Sequence, residues 1–85
     1  MKENRVIGIL IKDRIKEAGK TQKVLSLFAS IIITRLGTHE LNESVCSRKG
    51  IILIHLGGDE SLWDKFESEL SKIGGIEVQK MSFVY

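Results

Sequence analysis

The stretch Lys49 to Gly58, KGIILIHLGG, is apolar on both of its alternating faces. In a strand, Ile52, Ile54 and Leu56 point one way and Ile51, Leu53 and His55 the other. A strand with one wet face would alternate apolar with polar residues, so this one requires cover on both sides. Arg5 to Lys12, RVIGILIK, repeats the pattern, with Ile7, Ile9 and Ile11 opposite Val6, Gly8 and Leu10. Two further β-rich runs follow the same chemistry: Ile31 to Leu36, with Gly37 and Thr38 leading outward, and Ile76 to Val84.

Between the strands the apolar period lengthens. Ile15, Ala18, Val24, Leu25, Leu27 and Phe28 recur at helical spacing, and Asp13 suits the N-cap, where a carboxylate accepts from free backbone N–H groups. Gly19 inside this helix costs about 1 kcal/mol relative to Ala. A second helix, capped by Asp59 or Ser61, is predicted to run to about Ile73 with Leu62, Phe66, Leu70 and Ile73 on one face and Trp63 beside them. Gly57-Gly58 breaks the strand before it and Gly74-Gly75 supplies the left-handed residue that ends it. His39 to Arg48, polar and without a clear period, reads as a loop or a ragged hairpin connection.

The order β-α-β-β-α-β predicts an α+β fold, the ferredoxin-like βαββαβ sandwich: one antiparallel sheet ordered 4-1-3-2 with both helices on one face. The first and third strands then lie in the middle, and these are the two that are apolar on both sides. Ile7, Ile9, Ile11, Ile52, Ile54 and Leu56 face the helices. Val6, Gly8, Leu10, Ile51, Leu53 and His55 form the outer face, a patch that a monomer rarely leaves wet and that a dimer or tetramer would bury by sheet-to-sheet packing.

At 85 residues the chain is expected to be a single domain, residues 1–85, with one modest core. Its longest apolar run, Ile51 to Ile54, is far below the roughly twenty residues needed to span a bilayer. MKENRV passes directly into a strand pattern with no signal-like apolar region, and the lone Cys46 allows no internal disulfide; a cytoplasmic location is expected. Charge is uneven: residues 1 to 30 carry seven Lys/Arg against three Asp/Glu, while Asp59 to Lys72 carries five acidic residues against two basic ones. One basic and one acidic helix follow, for which opposite solvated faces are the plain account.

Candidate chemistry is sparse. His39, Cys46 and His55 are soft ligands, but no paired Cys or His-x-His accompanies them, so a metal-sensing site would require a partner subunit. Without one, Cys46 is a loop thiol and His55 a hydrogen-bonded interface histidine. No nucleophile stands beside a base, no Gly-x-Ser-x-Gly occurs, and no glycine-rich phosphate loop is present, so neither an enzyme nor a resident cofactor is expected. Lys16, Lys20 and Lys23, with Arg14, form a basic stripe that could meet nucleic-acid phosphates; no recognition element joins it, and a solvated face accounts for it. Arg35, followed by Leu36-Gly37, is either an exposed edge-strand residue or a rim arginine able to hold an anionic ligand.

Asp13-Arg14, Arg35-x-Gly37 and Ile73-Gly74-Gly75-Ile76, taken in order across nearly the whole chain with VLSLFASIIITRLG and GIILIHL between them, resemble the iron-only hydrogenase system regulator family. The resemblance implies an ACT-like, ferredoxin-like domain with a regulatory role tied to hydrogenase maturation, and an effector site near Asp13, Arg14, Arg35 and Gly37. In ACT domains the Asp-Arg pair is often followed by Pro-Gly, where this sequence has Ile15-Lys16. The nickel-responsive regulator's effector domain shares the fold, but its His-x-His and Cys ligand pattern is not reproduced.

Overall fold

The computed structural model describes residues 2–42 and 45–85, with the side chains of Arg14 and of residues 39–48 outside the description. The elements run β1 (Glu3–Ile11), α1 (Arg14–Leu27), β2 (Ile32–Asn42), β3 (Val45–Leu56), α2 (Trp63–Ser71) and β4 (Ile76–Val84), with 3-10 turns at Ala29–Ile31 and Glu60–Leu62. The sheet is antiparallel and ordered β2-β3-β1-β4, which read from the other edge is 4-1-3-2. The ferredoxin-like α+β arrangement is therefore present, with β1 and β3 central.

The registers explain the double-sided apolar runs. Ile7 pairs with Ile54 and Ile9 with Ile52 on the helix side, while Val6 pairs with His55, Gly8 with Leu53 and Leu10 with Ile51 on the other. Ile7, Ile9, Ile11, Ile54 and Leu56 are buried under the helices and Ile52 is partly so. Trp63, Phe66 and Leu70 cover them from α2, and Leu25 from α1. The helices meet through Phe28 and Phe66, whose ring centroids lie 5.3 Å apart at 57°, a tilted aromatic pair.

Asp13 caps α1 as expected, its carboxylate accepting from the Ile15 N–H. The buried row of α1 differs from the predicted one. Thr21 and Leu25 are buried with Val24 and Phe28 partly so, whereas Ile15 and Leu27 are 79% and 76% exposed and Ala18 is exposed. At about 100° per residue, Ile15 lies about 100° and Leu27 about 140° around the helix from the middle of the Thr21–Leu25 row. Thr21 qualifies for the core because its hydroxyl donates to the Glu17 carbonyl one turn back, 3.0 Å away.

The second helix also differs in its bounds. Asp59 caps a 3-10 turn first, accepting from the backbone N–H and the hydroxyl of Ser61, and α2 proper ends at Ser71 rather than near Ile73. These two bonds hold the Asp59 carboxyl below its ordinary range, the Ser61 hydroxyl contributing most. Trp63 stands in the core, its indole N–H donating to the Gly57 carbonyl at 2.8 Å. Gly58 and Gly75 take positive φ, 62° and 80°, and Glu17 packs directly against Gly75, so both positions suit residues without a Cβ.

The stretch His39 to Arg48, expected as a loop or a ragged hairpin connection, is paired strand over its described residues. β2 continues to Asn42 and β3 begins at Val45, with Leu41 opposite Cys46. Because β1 stops at Ile11, opposite Gly50, the pairs beyond His39 and Gly50 form a two-stranded ribbon projecting from the body. Polar residues obscured it because neither face of a projecting ribbon must be apolar, so no period of two is imposed. The ribbon contributes to a long axis of 48 Å against 22 and 17 Å for the other two.

Candidate functional site

Two surfaces remain after the core is assembled. The first is the outer face of the sheet. Val6, Gly8 and Leu10 of β1 share this face with Leu53 and Ile51 of β3 and Leu36 of β2, since directly paired residues share a face; from β4, Phe83 stands opposite Asn4, Met81 opposite Val6, and the polar Gln79 and Glu77 opposite Gly8 and Leu10. Leu53 is 41% exposed, Leu36 54% and Phe83 56%, and no element of the described chain covers them. Gly8 leaves hollows on either side of itself, about 280 Å³ toward Leu10, Ile51 and Gln79 and about 250 Å³ toward Val6, Leu53 and Met81. His55 sits half-buried at one end of this face, its Nε2 3.3 Å from the Asn4 side-chain oxygen. All six residues expected at the interface, Val6, Gly8, Leu10, Ile51, Leu53 and His55, thus share one face.

The second surface lies on the helix side at the β2 edge. Helix α1 rests over β1 and β3 and α2 over β4, so the inner row of β2, Arg35 and Gly37, borders a groove beside α1 rather than lying under it. Two hollows follow this groove. One, about 290 Å³, is lined by Ile11, Ala18, Arg35, Gly37 and Ile52 among others; the next, about 300 Å³, by Gln22, Leu25, Ala29, Ile32 and Arg35 with Ser26. Arg35 is common to both. Its Nη2 donates to the Gln22 Oε1 at 2.6 Å, and the Gln22 amide nitrogen lies 3.3 Å from the Ser26 hydroxyl.

Of the four residues expected at an effector site, the fold brings Arg35 and Gly37 into one hollow. Asp13 lies at the start of α1, where its carboxylate caps the helix, and it does not line that hollow. The Arg14 side chain lies outside the described residues, as do those of His39 and Cys46. Among the described residues no three of His, Cys, Asp and Glu cluster as a metal would require. Lys16, Lys20 and Lys23 are exposed on α1.

Sequence reasoning missed Arg5. It continues the inward row of Ile7, Ile9 and Ile11 and so enters the helix–sheet layer beneath α2. There its guanidinium forks onto Glu3 at 2.7 and 3.0 Å, reaches Asp64 at 3.0 Å, bonds Glu67 and lies 5.3 Å from the centre of the Trp63 ring. The hydrogen bonds from Arg5, then that from Ser82, hold the Glu3 carboxyl at about 2, well below its ordinary value of 4.5. Glu3 in turn raises the Arg5 pKa. The signal was available: a charged residue in phase with three inward isoleucines requires acidic partners, and the second helix is the acidic one. The cluster joins β1, β4 and α2 into one unit.

Among the described residues no helix is long and apolar enough to cross a membrane. No family model matches the chain, and no curated protein matches it. Among solved structures, an uncharacterized protein of Thermotoga maritima, TM1266, has the same fold: TM-score 0.79 and 21% identity, covering 98% of this chain and 100% of that one.

Proposed function

We propose that this protein is a non-catalytic, ACT-like regulatory domain that assembles with copies of itself through the outer face of its sheet and takes a small effector at the groove beside Arg35 and Gly37. The observation that carries the reading is the outer face: two central strands whose inner rows already fill a complete core expose a second, continuous apolar row with hollows beside Gly8. Leaving such a face in water forfeits about 25 cal/mol for each Å² of apolar surface that packing would remove. The residues shared with iron-only hydrogenase system regulators support a regulatory role in that setting, and the lone Cys46 suits a reducing cytoplasm. Metal sensing through His39, Cys46 and His55 has less support, because His55 lies on the outer face beside Asn4.

Light scattering with sedimentation analysis at micromolar concentration tests the assembly. The wild type is expected as a dimer or tetramer, and Leu53→Glu as a folded monomer, since Leu53 is already partly exposed within one chain. A monomeric wild type would end the proposal.

A further inference from the structure

The groove between α1 and the β2 edge has a charge pattern that selects among effectors. Arg35 is the one charged side chain lining either hollow among the described residues. Its described partner is a neutral amide oxygen, Gln22 Oε1, rather than a carboxylate. A guanidinium presents five N–H donors in a planar fork suited to a carboxylate, so a carboxylate can engage it by taking over from, or joining, the Gln22 oxygen. Around Arg35 the walls are mostly apolar or small, with Ile11, Ile32 and Ile52 from the sheet, Ala18 and Leu25 from α1 and Ala29 from the turn after it, and the neutral side chains of Gln22, Ser26 and Thr38 are the polar members. Over Gly37 the space is open, with nothing within 4 Å of where a Cβ would stand. Each hollow is near 300 Å³, at the small end of ligand-binding cavities.

We propose that this groove binds a small monocarboxylate with an apolar body, its carboxylate on Arg35 and its chain over Gly37 against Ile11 and Ile52. The proposal rests on the reading of this end of the molecule as an effector site and narrows it to a ligand class. A free amino acid is disfavoured, because its ammonium group would lie among Ile11, Ala18 and Ile52 with no acidic side chain lining the hollow among the described residues. A bare inorganic anion would leave the apolar walls unused.

Isothermal titration and amide-shift mapping with hexanoate, norleucine, hexylamine and inorganic phosphate test the ligand class. Hexanoate is expected to bind and to move the amides of Ala18, Arg35 and Gly37. Arg35→Gln should weaken it by about ten-fold or more, as loss of a charge-assisted bond does, with Arg35→Lys intermediate. Gly37→Val, which fills the open space on an edge strand, should abolish binding while leaving the fold intact. Norleucine, hexylamine and phosphate should each bind at least about ten-fold more weakly than hexanoate. Equal binding by any of the three, absence of hexanoate binding, or indifference to Arg35→Gln overturns the proposal. A thermal-shift screen over amino acids and nucleotides separates the two levels. If one of those ligands stabilises the wild type but not Arg35→Gln, the monocarboxylate class fails and the effector site stands; if hexanoate and every screened compound fail, both fall.

Discussion

Arg5 shows how much a single side chain can settle. It sits in a row of isoleucines, yet its guanidinium lies over Trp63 and its fork reaches Glu3, Asp64 and Glu67, so the charge is matched where it is desolvated. Removing it leaves Glu3 and Glu67 without their shared cation in a partly buried layer. Arg5→Met is therefore expected to cost about 2 kcal/mol or more in urea unfolding. The same network fixes an acid dependence. Glu3 has its pKa depressed in the folded state, from 4.5 to about 2. Its contribution is therefore complete above about 4.5 and is lost as pH falls toward 2. Wild-type stability should decline through that window, and Arg5→Met should show a shallower decline there; parallel acid profiles would argue against the coupling.

At the level of elements, α1 is the least tightly specified. Its apolar residues spread around the helix, with Ile15 and Leu27 outside the buried row, and Gly19 is exposed, with nothing within 4 Å of where a Cβ would stand. Gly19→Ala is accordingly expected to stabilise the protein by up to about 1 kcal/mol, visible as a rise in Tm of roughly 4–8 °C. An unchanged or lower Tm would mean that the helix is strained at this turn. Helix α2 is the reverse case, with Trp63, Phe66 and Leu70 all buried on one face. Phe66→Ala should cost about 3–5 kcal/mol through lost contacts and the cavity left beside Phe28. Between the elements, Gly58 has φ of 62° and the carbonyl of Ser30 2.9 Å from where a Cβ would stand. Gly58→Ala should therefore destabilise by more than about 1 kcal/mol in thermal or urea unfolding, whereas a neutral result would show that the turn relaxes.

For the whole molecule, a four-stranded sheet covered by helices on one side has an open second side, and its chemistry decides whether the chain works alone. Here that side carries Val6, Leu10, Leu36, Ile51, Leu53, Met81 and Phe83. Gly8 lies between the two hollows of that face, so a methyl there would stand in the way of a copy packed against its centre. Within one chain a methyl at Gly8 meets Leu53 at 3.7 Å, an ordinary contact. Gly8→Ala should thus leave monomer stability nearly unchanged while weakening association, measured as a higher dissociation constant in sedimentation equilibrium. Equal association would mean that the contact, if any, avoids the centre of the face. The α1–β2 groove opens on the helix side and meets the outer face at Ile51, but Leu53 lines neither of its hollows, so Leu53→Glu should leave hexanoate binding at Arg35 intact.

The rows of β1 and β3, the order of elements and the glycine turns were legible in the sequence because each is a local pattern: a period of two, a period near 3.6, or a residue without a Cβ. From them came the sheet order, the inner and outer faces and the shared face of Val6, Gly8, Leu10, Ile51, Leu53 and His55. Three features required the tertiary structure. The length of the β2–β3 ribbon depends on where β1 stops, and Thr21's place in the core depends on which side of α1 meets the sheet. The Arg35 groove exists because α1 lies over β1 and β3, leaving the inner row of β2 beside it rather than beneath it. Side-chain periods state which face of an element is apolar, but the lateral placement of a helix over a sheet follows from how the full set of side chains packs, and that placement made the groove.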